Sequence, residues 1–549
     1  MNFSYRQILN KILPLKQLRF PKPYFSEWIC LVCGITLSFY YAWIMDDAYT
    51  YFRYVDNFVL LNRGLVYNPG EYVEGFSSPV WILLLILFRA SHLSYWCIIR
   101  IISVLAYVVF WALAVIANRK LSNNNLKPYI INHPLINLTF TYGILSYFSS
   151  GLEAPIVQIL AAGYVCFFLF PRSRVFQFMV AVSPLVRPEL LLPFIIAFIW
   201  SVIKEKKAPW FLFLVSGITL GGWLIFRIYY YADFLPNTFY LKDELAIKQG
   251  LFYLYDTILP YFTLPIILFF FTLYVFLKRN GKSYNLYTQQ RIMIFMAALS
   301  VIFYIIKIGG DARHFRYLSF SYCLMILSTG GLSELTLLKF NLQGHRKFIL
   351  SIGLIFALFS FSCYPRQLLY HPIVPRKKHK HQGSLKINDS MLHRNSGWTP
   401  DFFSFGYKRE LLNEKSDFQK NDKTIPAYRT IAGWNCLIGY KKFDYFYVHS
   451  YGLTEPFLAR VDALSNRPGH KDRLIPLAND IVKIRREYGF RKGSFESAVN
   501  AEKAPLWVKN NLKVINLIEN KAYNQHRFYD NFKTAVKLIK REKIKLSNK

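Results

Sequence analysis

The sequence predicts a polytopic α-helical membrane protein that carries a separate polar C-terminal region. Three observations predict it. Apolar runs near the length needed to cross a bilayer recur through the first two-thirds of the 549 residues. Of all residues, 53% are hydrophobic and only 18% charged, which is the balance of a membrane chain. After residue 364 the spanning runs stop, and 36 Lys and Arg stand against 17 Asp and Glu. The formal charge of +35 does not point to nucleic acid, because the bases fall in short loops and in the tail without a basic-aromatic recognition motif. Membrane lipids with anionic headgroups and phosphorylated substrates are the expected partners.

Residues 1–27 carry Arg6, Lys11, Lys16, Arg19 and Lys22 ahead of the first apolar run, Trp28–Met45. No small-residue cleavage site follows that run, so it reads as a retained helix. The positive-inside rule keeps the N-terminus in the cytoplasm and sends the next loop, 46–95, outside. That loop opens on Asp46 and Asp47, then carries Arg53, Arg63, a turn of Gly64, Asn68, Pro69 and Gly70, and the acids Glu71 and Glu74. Paired carboxylates at a membrane surface are costly through desolvation and mutual repulsion, so they suggest a task beyond turning the chain. Pro79–Phe88 is too short to span and is expected along the interface. With it there, the basic turns Asn118–Lys127, Pro171–Arg174, Lys204–Lys207, Lys278–Arg291 and Lys339–Lys347 all fall inside.

The remaining crossings are then Trp96–Ala117, His133–Ser149, Leu152–Phe170, Val175–Val186, Leu190–Ile203, Pro209–Phe226, Thr257–Leu277, Ile292–Ile308, Leu318–Leu338 and Phe348–Tyr364. With the first, that makes about eleven transmembrane helices within a domain over 28–364. Residues 365–424, with the basic patch Arg376–Lys380, read as an extended linker. Residues 425–549, with short runs such as Cys436–Tyr440 and Tyr445–Val448, read as a small mixed α/β domain outside. Its basic surface is either simply solvated or binds anionic headgroups or an anionic glycan. Cys30, Cys33, Cys97, Cys166 and Cys323 lie in apolar runs and read as small core residues. Cys363 and Cys436 fall outside, where an oxidising compartment permits a disulfide.

This topology gathers the polar residues of the membrane region at outer helix ends. They are Asp46, Asp47 and Arg53; Glu153 in Ser149–Glu153; Arg187-Pro188-Glu189; Lys242 after Pro236–Leu241; and Asp311, Arg313, His314 and Arg316 after Gly309-Gly310. Taken singly, each also fits a structural ion pair, a solvated lysine or a turn. Together on one face they suit one chemistry. A carboxylate takes the proton from an attacking hydroxyl, while Arg and Lys hold a leaving phosphate whose lipid tail lies between helices. That describes glycosyl transfer from a lipid-linked phosphosugar. No Walker loop, HExxH, GxSxG or dinucleotide-binding fingerprint competes with it.

At these residues the chain resembles a known family. Asp46-Asp47-Ala48, Phe52-Arg53-Tyr54, Asn57, Gly64-Leu65-Val66, Asn68-Pro69-Gly70-Glu71, Val73-Glu74-Gly75-Phe76 and Trp81 look like the first outer loop of the terminal arabinofuranosyltransferases of actinobacterial arabinan. Further matches follow in order: Gly151-Leu152-Glu153 with Pro155, Arg187-Pro188-Glu189, Pro236-Asn237-Thr238-Phe239 with Lys242, and Gly309-Gly310-Asp311 with Arg316-Tyr317. Gly452–Arg460 and Arg467-Pro468-Gly469-His470 match in the tail. Where relatives often carry a Met-Pro pair, this chain has Ala312–Phe315, a departure that bears on sugar or acceptor choice.

The resemblance implies a GT-C glycosyltransferase of a bacterial inner membrane, with its site and C-terminal domain on the periplasmic side. Its donor would be a polyprenyl-phosphate sugar, such as an arabinofuranose, and its acceptor a hydroxyl of a cell-envelope glycan or glycolipid. Asp46 would be the base and Asp47 its partner or an acceptor-site ligand, with the choice between the two as base left open. Arg53, Lys242, Arg316 and Arg187 would bind the donor phosphate. Glu74 and His314 would position substrate, and Glu153, Glu189 and Asp311 would position substrate groups or a metal. Some members bind a divalent metal, so magnesium or manganese on Asp46 and Asp47 is open. The rival reading is a transporter or flippase for polyprenyl-linked sugars. It predicts polar groups through the midplane and inverted repeats, and neither is visible in the sequence.

Overall fold

The computed structural model describes residues 21–40, 42–122, 134–206, 208–242, 245–257, 288–311, 315–330, 406–407, 430–433, 436–462, 465–467, 470–471, 474–540 and 543–545. The expected crossing Phe348–Tyr364, most of Thr257–Leu277, the second half of Leu318–Leu338, and residues Cys363 and His314 lie outside the described residues.

The first two-thirds form a helical bundle: α1 (Phe25–Tyr40), α2 (Ala48–Val59), α3 (Pro79–Arg89), α4 (Tyr95–Leu121), α5 (Pro134–Phe140), α6 (Tyr142–Phe148), α7 (Ala154–Leu169), α8 (Arg174–Val186), α9 (Leu191–Glu205), α10 (Trp210–Tyr231), α11 (Ile247–Thr257), α12 (Thr288–Ile308) and α13 (Ser319–Ser328). Three stretches, Tyr95–Leu121, Trp210–Tyr231 and Gln289–Ile308, are long and apolar enough to cross a membrane; α3, α7, α8 and most of α1 are apolar but shorter. The protein is thus compatible with a helical membrane protein. On α10, Trp210, Phe213, Leu214, Ile218 and Ile225 are 57–72% exposed, an apolar face of the kind a membrane-spanning helix presents.

Two expected spans are remade. α1 stops at Tyr40, and Ile44–Met45 are extended (β1) and pair antiparallel with Gly406–Tyr407 (β2). The N–H groups of Trp43 and Met45 are drawn onto the carbonyls of Ser149 and Ser150, so helix cannot continue there. His133–Ser149 is two seven-residue helices, not one. Thr141 between them is extended, and its hydroxyl binds the Asn137 carbonyl and the Tyr322 hydroxyl. Pro79–Arg89 is an 11-residue helix, opened by Pro79 at its first position and by a Ser78 cap on the Trp81 N–H.

The bundle has two chemically distinct ends. Glu27 at the start of α1 pairs with Arg119 at the end of α4 at 2.8 Å. Arg172, ahead of α8, pairs with Glu205 at the end of α9 at 2.5 Å. Arg291 early in α12 donates to the Leu121 carbonyl at the end of α4. The opposite end holds Asp46 and Asp47 after α1, Glu153 before α7, Arg187 after α8 and Gly309–Asp311 after α12. Among the described residues, the acids and bases of the sequence islands therefore share one end, and Arg119, Arg172 and Arg291 from the predicted basic turns share the other.

The C-terminal region pairs β3 (Thr430–Gly433) parallel to β4 (Phe446–His449), joined through the short α14 (Cys436–Lys441). Four helices follow: α15 (Leu474–Tyr488), α16 (Ser494–Asn500), α17 (Leu506–Ala522) and α18 (Phe528–Lys540). Strand β4 and these helices enclose their own core of Phe446, Val448, Phe457, Ile481, Phe495 and Ile518. Polar contacts fasten this core to the bundle. Asn237 donates to the carbonyls of Gly452 and Glu455, so two of the sequence motifs meet across 215 residues or more of chain. Asp233 is held by Arg460 and, at 3.1 Å, by Lys521, with all three side chains nearly fully buried.

Candidate active site

The site is organised by the turn between β1 and α2. Carbonyls of Asp46 and Asp47 accept the first N–H groups of α2, from Tyr49 and Thr50, which sends the two side chains out at the end of the bundle. Beside them, Gly151 has φ +80°, and its Cβ position lies 3.1 Å from Ala48 and Ile99, so only glycine lets the Ser149–Glu153 turn approach. The Trp81 indole N–H holds the Gly151 carbonyl.

Asp46 accepts two backbone N–H groups from the start of α14, Cys436 at 3.1 Å and Leu437 at 3.2 Å. Burial raises its pKa above the ordinary value of 3.8, Asp47 pushes the same way, and the two amides pull it back. Asp47 is half exposed and meets Arg316 at 3.0 Å. From Arg316 the network spreads: Asp311 lies at 3.6 Å and Glu153 at 3.8 Å. Glu153 also faces Arg187 at 3.6 Å, and Arg187 binds Glu189 at 2.6 Å. The Tyr317 ring is the hub beneath. Arg187 lies 4.2 Å above it, Arg316 5.5 Å away, and Lys242 donates to its hydroxyl. Among the described residues, Glu153 Oε2 is buried with no hydrogen-bond partner.

Seven residues expected from the sequence thus come together with Asp46: Asp47, Glu153, Arg187, Glu189, Lys242, Asp311 and Arg316. Lys242 differs from the two arginines in meeting a hydroxyl and a ring where they meet carboxylates. Burial would lower its pKa, but Tyr317 and Asp311 outweigh this and raise it, so it stays cationic.

Two expected site residues are taken up by partners within the protein. Arg53 was expected on the donor phosphate. Instead its five N–H groups meet five acceptors: the carbonyls of Tyr67, Gly439, Lys442 and Tyr445, and Asn68 Oδ1. It is fully buried, and it clamps α2 and the first loop to α14. Glu74 was expected to position substrate. Both its oxygens bind Arg227, one also takes the Trp223 N–H, and so it ties the first loop to the end of α10.

Sequence reading assigned no role to Tyr317 and missed the Cys436 and Leu437 amides and the partners Arg227 and Arg485. Tyr317 carried a signal, since it directly follows Arg316. The amides carried none, being backbone groups 390 and 391 residues from Asp46.

Ligand atoms of Asp46, Asp47 and Cys436 lie within 4.8 Å of one another. Magnesium and manganese favour shells of oxygen, whereas here the third atom is a buried thiol and the carboxylates already serve two amides and Arg316. The donor set fits such an ion poorly. Cys436 carries a free thiol, 3.5 Å from His449 Nε2. Burial pushes the His449 pKa down to about 4, so its imidazole is neutral at neutral pH.

Gly310 closes the floor of the site with φ +81°; a Cβ there would lie 2.3 Å from the Tyr253 ring. Gly310→Ala is expected to lower stability by about 1–3 kcal/mol, read as a reduced melting temperature in detergent.

No protein-family model, curated protein or solved structure matches this chain.

Proposed function

We propose that the chain is a GT-C-type membrane glycosyltransferase. It takes a sugar, such as a pentofuranose, from a polyprenyl-phosphate donor on the periplasmic face of a bacterial inner membrane. It passes the sugar to a hydroxyl of a cell-envelope glycan or glycolipid. About eleven crossings and a periplasmic C-terminal domain belong to the same proposal.

The observation that carries it is the convergence of Asp46 and Asp47 with Lys242, Arg316 and Arg187 at one end of an apolar bundle. In this reading the acceptor oxygen attacks the anomeric carbon, the bond from that carbon to the phosphate oxygen breaks, and Asp46 takes the hydroxyl proton. The two amides on Asp46 fix its direction. Lys242 meets the leaving phosphate first, because binding there displaces no carboxylate. Arg316 and Arg187 keep the acids around it ordered and add positive charge. Glu153 Oε2, buried without a partner among the described residues, suits an acceptor or sugar hydroxyl.

The test uses the purified chain in lipid nanodiscs with a polyprenyl-phosphate pentofuranose and a glycan acceptor. Release of polyprenyl phosphate with glycosylated acceptor supports the proposal. In sealed vesicles, movement of intact donor across the bilayer without bond cleavage would establish the transporter reading instead.

A further inference from the structure

The last helix, α18, has an exposed face that the proposed reaction does not use. Its inner side, Asn531, Ala535 and Leu538, is buried. Beside that side runs an apolar stripe: Phe528 is 44% exposed, Phe532 41% and Ile539 52%, at spacings that share a helix face, with Tyr529 at 67% on its edge. Exposed Lys533 borders the Tyr529 edge of the stripe, 4.1 Å over the Tyr529 ring; Lys537 lies further round the helix beside the exposed Asp530, and Arg527 precedes the stripe. A domain helix facing only water has no reason to show two phenylalanines and an isoleucine in one stripe with a tyrosine on its edge. Neighbouring α17 shows the contrast, turning Lys509, Asn510 and Lys513 outward.

Position supplies the partner. Asn531 donates to the Tyr229 carbonyl at 2.7 Å and Asn524 to the Tyr230 carbonyl at 3.1 Å, which docks α18 on the last turn of α10. The Phe532 ring packs on Phe234 at 5.7 Å. The bare apolar face of α10 therefore continues, past Tyr229, into the stripe on α18. Where a lipid-facing helix leaves the hydrocarbon, aromatic rings and Lys side chains are the groups that suit the headgroup layer.

We propose that α18 is an interfacial helix, lying in an anionic bilayer surface with its aromatic stripe among the upper acyl chains and Lys533 and Lys537 on lipid phosphates. The proposal rests on α10 crossing the membrane. It fixes the C-terminal domain at the membrane surface by a second attachment, independent of the ion pairs.

The experiment places the photo-crosslinker p-benzoylphenylalanine in the full chain, one position at a time, at Tyr529, at Ile218 on α10 and at Lys513 on α17. Each protein is irradiated in nanodiscs of phosphatidylcholine, with or without phosphatidylglycerol, and adducts are read by mass spectrometry. Lipid adducts are expected at 218 and 529 and none at 513. Phosphatidylglycerol should raise the 529 yield at least about twofold and leave 218 unchanged, and Lys533→Gln with Lys537→Gln should abolish that rise. A lipid adduct at 218 with none at 529, or crosslinking of 529 to a second chain, overturns the interfacial helix. A 529 yield indifferent to phosphatidylglycerol overturns its anionic preference. Adducts at neither 218 nor 529 overturn the membrane crossing of α10 and the proposal with it.

Discussion

Asp46→Asn is expected to reduce sugar transfer by about 10²–10⁴-fold while leaving donor binding nearly intact. The substitution keeps size and removes the proton acceptor. Its amide oxygen can still accept one of the two N–H groups from Cys436 and Leu437, so the turn should persist. Asp47→Asn should behave differently, because Asp47 is half exposed and engaged by Arg316. Its loss leaves Arg316 with Asp311 and Glu153 and should weaken binding more than turnover. The pH profile separates them further. A base works only when ionised, so the rate falls as pH drops through its pKa. Burial has raised the Asp46 pKa, so the acid limb should lie above the ordinary 3.8, and it should vanish in Asp46→Asn but not in Asp47→Asn. Equal effects of the two substitutions on turnover would remove Asp46 from the role of base.

The site was legible in sequence where polarity was improbable. Glu153, Arg187, Glu189, Asp311 and Arg316 interrupt apolar runs, and such residues in a membrane chain have to find one another. The network from Asp47 to Lys242 is the outcome. Arg53 and Glu74 looked equivalent to them, because a charge in a loop gives no sign of whether its partner will be substrate or protein. Arg53 meets four carbonyls, and carbonyls are identical in every sequence. The role of Tyr317 was hidden for a related reason: adjacency to Arg316 marks the residue, but its position between three cations exists only in three dimensions. Helix lengths failed where tertiary hydrogen bonds overrode apolarity, as when Ser149 and Ser150 drew Trp43 and Met45 out of helix.

Arg485→Met is expected to be the most damaging change in the C-terminal region, at about 3–5 kcal/mol. Arg485 is fully buried beneath the rings of Phe446, Phe457, Phe490 and Phe495, and it binds Glu71 at 3.1 Å and the Tyr523 hydroxyl. Methionine fills much of the volume but leaves the Glu71 carboxylate buried without this cation. Glu455 compounds the loss. It is 1% exposed, and burial together with Glu71 raises its pKa to about 8. Between its ordinary 4.5 and 8 the folded chain keeps a proton that the unfolded chain releases, so this group's contribution to stability falls as pH rises through that window. Arg485 pulls the pKa of both Glu71 and Glu455 down, so without it both rise further and stability falls more steeply with pH. The Arg485→Met protein should be closer to the parent at pH 5 than at pH 8 in thermal melts, and Glu71→Gln in the same chain should recover part of the loss. The damage should also reach the site. Glu71 binds Asn68, Asn68 binds the Tyr447 N–H on β4, and Arg53 joins Asn68 to the Gly439 carbonyl on the helix whose first amides hold Asp46. Loosening that chain of bonds frees the Asp46 carboxylate to turn. Transfer should thus fall even at temperatures where the double variant is folded, with the loss in turnover and not in donor affinity. Full activity in a folded Arg485→Met chain would mean that Asp46 is oriented from the bundle alone.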